Sequence, residues 1–378
     1  MEMTWCVGLM TGTVLDGNID VALLRTDGER IAAFGPHALY PYDAGTRAIL
    51  PRCLSEALAW NFDGPEPAVF AEAEERITRA QSEAVLRLVQ EAGLTMADIA
   101  AVGFHGQTVL HRAPATGRKG RTRQLGDGAL MAQLVGASVV HDFRNADMAA
   151  GGQGAPLSAV YHAALLDILG EPGTAILNLG GVANVTARDG QGGLVAFDTG
   201  PANAPINDFV ASRGLGEMDR DGRLAASGRV QVDRLAGALH HPYLTRPFPK
   251  SLDRFDFGHA WVDDLSDADG AATLTAFTAS AVGRGLDLLP ERPTRLIVCG
   301  GGRRNPTLLA MIGDYAGVEV VCAEAVGWAG DATEAQCFAF LAMRRLRGLP
   351  GSYPSTTGAD AAIICGQMTM PGSPRRDG

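Results

Sequence analysis

Apolar runs of strand length alternate with short turns at the start of the chain. Residues 5–10, 19–25 and 30–39 each have the apolar pattern of a strand. Asp27-Gly28 is a strong hairpin turn between the second and third of these runs. The pattern predicts a three-stranded meander at the amino end.

The same order of elements returns in the second half of the chain. Residues 174–179 predict a strand that enters the turn Gly180-Gly181, and residues 183–187 predict the next strand. Asp189-Gly190 then turns the chain into a third strand at residues 195–197. The repeat predicts two related α/β domains that face one another, with each glycine turn contributing to a phosphate clamp. Coincidence among 48 glycines is the alternative.

Helical periodicity and glycine-proline punctuation complete the domain prediction. Residues 67–93 and 331–347 predict helices, and residues 127–134 predict a shorter crossover helix. Gly170-Glu171-Pro172-Gly173 interrupts the pattern, so we place a domain boundary there. We expect one domain over residues 1–170, a second over residues 171–370 and a disordered tail over residues 371–378. Whether the C-terminal helix of the second domain packs on the first domain is left open.

Asp198 follows a short apolar strand and is the most informative acidic residue. We expect the strand to end at Asp198, because Gly200 admits positive φ and Pro201 lacks the N–H group that a ladder needs, so neither extends the strand. Asp198 would then face a cleft, and the N–H groups of Thr199, Gly200 and Ala202 would form a concavity for phosphate oxygens. The alternative is that Asp198 only caps the helix that follows.

Polar side chains follow two further predicted strands, at residues 99–104 and 137–140. If these strands are parallel, their carboxyl ends meet at one edge of the sheet and the side chains belong to one pocket. They suit the hydroxyls, amide and carboxylate of a small ligand: His105, Gln107, Thr108, Asp142 and Arg144. A structural role is the alternative for His105 and for His141, since neither histidine has metal-ligand spacing.

A triple glycine follows the apolar run at residues 295–299. Gly300, Gly301 and Gly302 would let a flat ligand approach the backbone, and Asn305 precedes the proline that opens the next helix. Alone, this is a weak signal.

Composition narrows the class of protein. The chain has 378 residues, of which 46% are hydrophobic and 20% charged, so we expect a globular protein of two domains. A net charge of −10 argues against a nucleic-acid surface, and an anionic ligand would need local positive help. The six cysteines lack C-x-x-C spacing, and we find neither a signal peptide nor a membrane segment, so we expect a cytoplasmic protein.

Seven motifs in one order now carry a family resemblance, which runs from residue 5 to about residue 360. Together they resemble the anhydro-N-acetylmuramic acid kinase family of the actin, Hsp70 and sugar-kinase superfamily: GLMTGT at 8–13, LDG at 15–17, FHGQT at 104–108, DFR at 142–144, GGQGAPL at 151–157, NLGGVAN at 178–184 and FDTGP at 197–201.

The resemblance implies two actin-like, ribonuclease H-like domains with a nucleotide cleft between them. It implies a cytoplasmic and homodimeric enzyme that uses ATP, Mg²⁺ and water to turn 1,6-anhydro-N-acetylmuramic acid into N-acetylmuramic acid 6-phosphate in peptidoglycan recycling. By the same resemblance Asp198 is the catalytic base, and Glu334 is a second carboxylate that holds the sugar or the water.

The resemblance also assigns the binding residues. Arg144 becomes the partner of the lactyl carboxylate, and Asp16 or Asp198 reaches Mg²⁺ through water. Three groups bind the nucleotide: a first phosphate turn of Gly12, Thr13, Val14, Leu15, Asp16, Gly17, Asn18 and Ile19; an opposing turn of Gly180, Gly181, Asn184 and Gly200; and an adenosine floor of Gly300, Gly301, Gly302 and Asn305.

Two departures and two competing functions remain. The family usually has serine where this chain has Val14, and its next aspartate is two residues after Gly17, whereas here Asp20 is three after. One competitor is another kinase of the superfamily, such as a hexose or acetate kinase, in which Asp198 deprotonates a substrate hydroxyl. The other is a non-catalytic, nucleotide-switched protein, which the absence of an appended domain disfavours.

Overall fold

The computed structural model describes residues 2–11, 17–115 and 117–374. Over these residues the chain divides into two compact units, and the division falls after Leu165, somewhat before the predicted boundary. Unit 1 is drawn from Met1–Leu165, Ala332–Pro354 and Gly358–Gly378, and unit 2 from Leu166–Asp331 and Ser355–Thr357. The helix that carries Glu334 therefore belongs to unit 1.

The strands and helices have the following bounds. The strands are β1 (Thr4–Met10), β2 (Asn18–Thr26), β3 (Ile31–Pro41), β4 (Ile99–Phe104), β5 (Gln107–Arg112), β6 (Arg121–Leu125), β7 (Val139–His141), β8 (Thr174–Leu179), β9 (Val182–Arg188), β10 (Leu194–Pro201), β11 (Arg295–Cys299), β12 (Glu319–Cys322) and β13 (Gln367–Thr369). The helices are α1 (Ala44–Trp60), α2 (Val69–Glu91), α3 (Gly128–Val135), α4 (Asn145–Ala149), α5 (Ala159–Leu169), α6 (Asn203–Ser212), α7 (Arg223–Ser227), α8 (Val232–Ala238), α9 (Asp267–Asp287), α10 (Pro306–Ala316), α11 (Thr333–Leu346) and α12 (Pro354–Thr357).

The main sheet of unit 1 has the order β13-β7-β4-β1-β2-β3. The meander β1-β2-β3 is antiparallel, and β4 and β7 run parallel to β1. Helix α11 packs closely on β1 and β4 because glycines face it: a Cβ on Gly8 would lie 1.8 Å from the carbonyl oxygen of Ala335, and a Cβ on Gly103 would lie 2.1 Å from that of Phe338.

The sheet of unit 2 repeats this topology with the order β10-β9-β8-β11-β12. Its meander is again antiparallel, and β11 and β12 are parallel to β8. Each unit thus contains the strand order 3-2-1-4-5 of the ribonuclease H-like fold. This confirms the predicted class, an α/β protein with two actin-like domains.

Several elements were missed by the sequence analysis, among them helix α1, the hairpin β5-β6 and the long helix α9. Helix α1 contains Pro51, which argues against a helix when only the sequence is read, although Asp43 caps its start by accepting the N–H of Thr46. The hairpin β5-β6 begins at Gln107, in residues that we had read as a polar strand tip. In the described ranges no helix is both long and apolar enough to cross a bilayer.

Candidate functional site

A row of polar side chains crosses the unit 2 sheet. Asp198 on β10 pairs with Asn184 on β9, Asn184 pairs with Asn178 on β8, and Asn178 pairs with Cys299 on β11. Residues that are directly opposite each other in paired strands point to the same face of the sheet. The Sγ atom of Cys299 lies 3.7 Å from Oδ1 of Asn178. Four adjacent strands therefore present one carboxylate, two amides and a thiol together.

Asp198 is 6% exposed, and three hydrogen bonds connect it to residues 243–252. Its Oδ2 accepts the N–H of Leu252 at 2.8 Å. Its backbone N–H donates to the carbonyl of Lys250 at 3.1 Å, and its own carbonyl accepts the hydroxyl of Tyr243 at 2.8 Å. A carboxylate fixed in this way suits a base that must meet one water molecule in one orientation.

The predicted end of the strand after Asp198 is wrong. Strand β10 continues to Pro201, and its pairing with β9 skips Thr199, so the strand absorbs one extra residue as a β-bulge. Because β10 is the edge strand of this sheet, the missing N–H of Pro201 costs no ladder bond. Gly200 continues the pairing, and a Cβ there would lie 2.7 Å from the Cβ of Ala281 on α9.

The turn Gly180-Gly181 is tied to the start of α6. The N–H of Asn203 donates to the carbonyl of Gly180 at 3.0 Å, and the N–H groups of Ala202 and Ala204 donate to that of Gly181 at 3.0 and 3.2 Å. The N–H of Ala202, one of the three that the predicted concavity uses for phosphate, is therefore bonded to the carbonyl of Gly181. The first N–H groups of α6 bond to the carbonyls of the turn, so they are not free to bind a phosphate group.

The triple glycine lies at the same edge of the sheet, because β8 and β11 are parallel. Gly300 has φ of 76°, and a Cβ there would lie 2.8 Å from the carbonyl oxygen of Leu179. Within the described part of the chain, no heavy atom comes within 4 Å of a Cβ built on Gly301, so the backbone is open to a flat ligand. Asn305 has a structural role, since its Oδ1 caps α10 by accepting the N–H of Leu308 at 2.9 Å.

His105 and Arg144 form a cluster in unit 1. Strands β4 and β7 are parallel, as the prediction required, so both residues follow the same edge of the sheet. Arg144 donates from Nη1 to the carbonyl of Gly154 at 2.7 Å and from Nη2 to Nε2 of His105 at 3.1 Å. Nδ1 of His105 donates to the carbonyl of Gly106 at 2.7 Å. Burial, helped by the charge of Arg144, lowers the pKa of His105 to about 3, so its ring is neutral and orients the guanidinium.

The other predicted sugar-binding residues are held by their neighbours. Asp142 accepts the side-chain amides of Asn145 at 2.6 Å and Gln367 at 2.7 Å. Thr108 Oγ1 accepts Nε2 of Gln124 at 3.3 Å. Gln107 is buried, and its Nε2 donates to the carbonyl of Thr108 at 3.3 Å. Glu334 is exposed in the first turn of α11. Burial lowers the pKa of Arg144, and the charge of Glu334 is among those that oppose this shift.

Most of the predicted first phosphate turn lies outside the described residues: Gly12, Thr13, Val14, Leu15 and the metal-ligand candidate Asp16. The residues that follow are described. Gly17 has a positive φ of 77°. Asn18 and Ile19 begin β2, and the Ile19 side chain is part of the hydrophobic core.

Lys250 was missed by the sequence analysis. It is 1% exposed, its Nζ donates to the carbonyl of Tyr243 at 2.9 Å, and Nζ lies 4.5 Å from the centroid of the Tyr243 ring. Burial lowers the pKa of Lys250 to about 8, while the charge of Asp198 opposes the shift. The sequence did contain a signal, because lysine is rare in this chain: of its 32 lysines and arginines, two are lysines, Lys119 and Lys250.

Comparisons with known proteins show the family of this chain. The family model described as anhydro-N-acetylmuramic acid kinase matches residues 4–371. A relative from Jannaschia sp. (strain CCS1), named anhydro-N-acetylmuramic acid kinase 2, is 74% identical over 99% of this chain and 99% of its own length. A relative from Brucella anthropi, named anhydro-N-acetylmuramic acid kinase, is 66% identical over 97% of this chain and 100% of its own length. The chain therefore belongs to the anhydro-N-acetylmuramic acid kinase family.

Proposed function

We propose that this chain is an ATP-dependent kinase that opens 1,6-anhydro-N-acetylmuramic acid with water and phosphorylates O6, as a step of peptidoglycan recycling. Family membership supports the reaction, since the relatives are named for it. The observation that carries the chemistry is Asp198, a buried residue next to a β-bulge whose carboxylate accepts the N–H of Leu252.

The substrate has no free O6 hydroxyl, so its anhydro bridge must open. Asp198 takes a proton from water as the water oxygen bonds to C1. The C1–O6 bond breaks, and O6 bonds to the γ-phosphorus of ATP as ADP leaves. The anhydro sugar, water and ATP thus give three products: N-acetylmuramic acid 6-phosphate, ADP and a proton held by Asp198. A positioned base contributes about 10²- to 10⁴-fold, and its negative charge stabilises the oxocarbenium-like carbon.

Arg144 is our candidate for the lactyl carboxylate of the sugar. A guanidinium has five N–H donors, so its bonds to Gly154 and His105 leave donors for a ligand. The neutral ring of His105 does not repel Arg144, and it fixes the plane in which a carboxylate is gripped. Glu334 remains the proposed second carboxylate, which holds the sugar or the water.

The family resemblance implies Mg²⁺, and the unit 2 residues fit it. Oδ1 of Asn184 is buried, lies opposite Asp198 and has no hydrogen-bond partner among the described residues. Water molecules of a hydrated ion would donate to both side chains, and Asp16 remains the alternative carboxylate that the resemblance implies. The described ranges hold no group of three His, Cys, Asp or Glu side chains that could bind a metal ion. Mg²⁺ usually binds proteins through only one or two carboxylates. When bound, Mg²⁺ neutralises phosphate charge.

The remaining expectations complete the proposal. Gly300, Gly301 and Gly302 form the floor under adenosine, which the open backbone at Gly301 supports. The enzyme is a cytoplasmic homodimer, as the resemblance implies. Light scattering on the purified protein tests the dimer, and a mass of 39.5 kDa would exclude it.

The decisive experiment offers the purified chain ATP with either anhydro-N-acetylmuramic acid, a plain hexose or acetate in ¹⁸O-labelled water. We expect ADP release only with the anhydro sugar and one labelled oxygen at C1, read at single-turnover times before anomeric exchange. Phosphorylation of a hexose or acetate instead would favour the competing kinase. Slow ATP hydrolysis that no acceptor stimulates would favour the non-catalytic protein.

A further inference from the structure

Arg254 lies beside the turn Gly180-Gly181 in unit 2. A Cβ built on Gly181 would lie 3.8 Å from the Cβ of Arg254. Arg254 also follows closely after Leu252, whose N–H binds the carboxylate of Asp198. One short segment therefore reaches both the proposed base and the proposed phosphate turn.

The contacts of Arg254 orient its guanidinium but leave a donor unsatisfied. Nη2 donates to both carboxylate oxygens of Asp208 on α6, at 2.7 and 3.0 Å, and the guanidinium carbon lies 4.9 Å from the centroid of the Phe255 ring. Nε is buried and has no hydrogen-bond partner within the described ranges. A buried N–H without an acceptor costs about 1–3 kcal/mol. An acceptor that arrives with a ligand would remove this cost.

A cation would strengthen phosphate binding at this turn. The first N–H groups of α6 are used by the carbonyls of Gly180 and Gly181, and the third helical residue, Pro205, has no N–H. The chain as a whole carries a charge of −10, which repels ATP. A guanidinium binds phosphate oxygens through two parallel bonds and supplies the missing charge.

We propose that Arg254 contacts the phosphates of ATP beside Gly180-Gly181 and stabilises the negative charge of the transferred phosphoryl group, with Asp208 as its positioning residue. The inference rests on the proposed kinase function and adds to it a residue that the sequence motifs do not contain. It also accounts for the orphaned Nε, because phosphate oxygens are acceptors.

The test compares Arg254→Met, Arg254→Lys and Asp208→Asn with Arg188→Met. Arg188 is a matched control, since its Nη2 donates to both oxygens of Asp167 at 2.7 and 2.8 Å in the same unit. We expect Arg254→Met to lower kcat/KM for ATP about 100-fold or more. Arg254→Lys should recover ATP affinity better than kcat, and Asp208→Asn should show a smaller loss, about 10-fold. Arg188→Met should resemble the wild type.

Calorimetric binding of ATP and AMP separates a phosphate contact from a structural effect. Arg254→Met should weaken ATP much more than AMP, with an unchanged unfolding midpoint. An equal loss for both nucleotides, or turnover within threefold of wild type, overturns the inference. Because nucleotide binding needs no sugar, a wild type that binds ATP but ignores the anhydro sugar defeats the proposed function while the comparison of ATP with AMP still tests Arg254.

Discussion

Replacing Asp198 with asparagine tests the proposed base with little other disturbance. Two of its three hydrogen bonds use backbone atoms, to Lys250 and Tyr243, and the third uses one side-chain oxygen to accept the N–H of Leu252. An amide oxygen accepts that bond as well. We therefore expect the variant to fold and to bind ATP.

The loss of turnover should be large because an amide cannot take a proton from water. General-base catalysis contributes about 10²- to 10⁴-fold, which corresponds to about 3–5 kcal/mol in the activation barrier. A smaller effect acts through Lys250, whose pKa the charge of Asp198 raises against burial. Without that charge the pKa of Lys250 falls further. Each unit of the fall destabilises the charged ammonium form, relative to the neutral amine, by on the order of 1 kcal/mol.

The assay is ADP release at saturating ATP and anhydro sugar, with ATP affinity by calorimetry and urea unfolding as checks. Asp189→Asn is the matched control, since Asp189 lies in the exposed β9-β10 turn, where its side chain accepts backbone N–H groups. We expect the control to keep wild-type kcat. If Asp198→Asn folds, binds ATP and retains more than about a tenth of wild-type kcat, Asp198 is not a general base.

Three further substitutions have defined outcomes. Val14→Ser should lower the KM for ATP, because serine adds a hydroxyl that can bond phosphate; initial rates at varied ATP measure this, and an unchanged KM would make the hydroxyl irrelevant. Burial lowers the pKa of His162 from 6.5 to about 3, so the unfolded chain binds the extra proton and stability is lost as pH falls below 6.5. His162→Gln should therefore remove about 2 kcal/mol of the stability lost between pH 7 and pH 5, and urea unfolding that shows equal losses in both proteins would refute this. Gly8→Ala should destabilise by about 3 kcal/mol in thermal or urea unfolding because the new Cβ collides with Ala335, whereas Gly237→Ala, with no heavy atom of the described residues within 4 Å, should be neutral or stabilising.

The sequence by itself determined the repeated meander and its turns. Strand periodicity and the Asp-Gly hairpins are local signals, and each survives in the structure because neighbouring residues pair with one another. The polar residues after β4 and β7 were found from the sequence, but the parallel pairing that brings them to one edge is a property of the folded chain. The position of Asp198 on the third strand of the second meander was also predicted, although that strand was drawn too short.

Only the tertiary structure decided how the groups around Asp198 are arranged. The β-bulge depends on which residue of β9 faces which residue of β10, and that register is a property of the pair of strands. Lys250, Leu252 and Arg254 are distant from Asp198 in the chain, and it is folding that brings their contacts to the bulge and to the glycine turn. Burial, which shifts the pKa of Lys250 and of His105, exists only after the chain has packed.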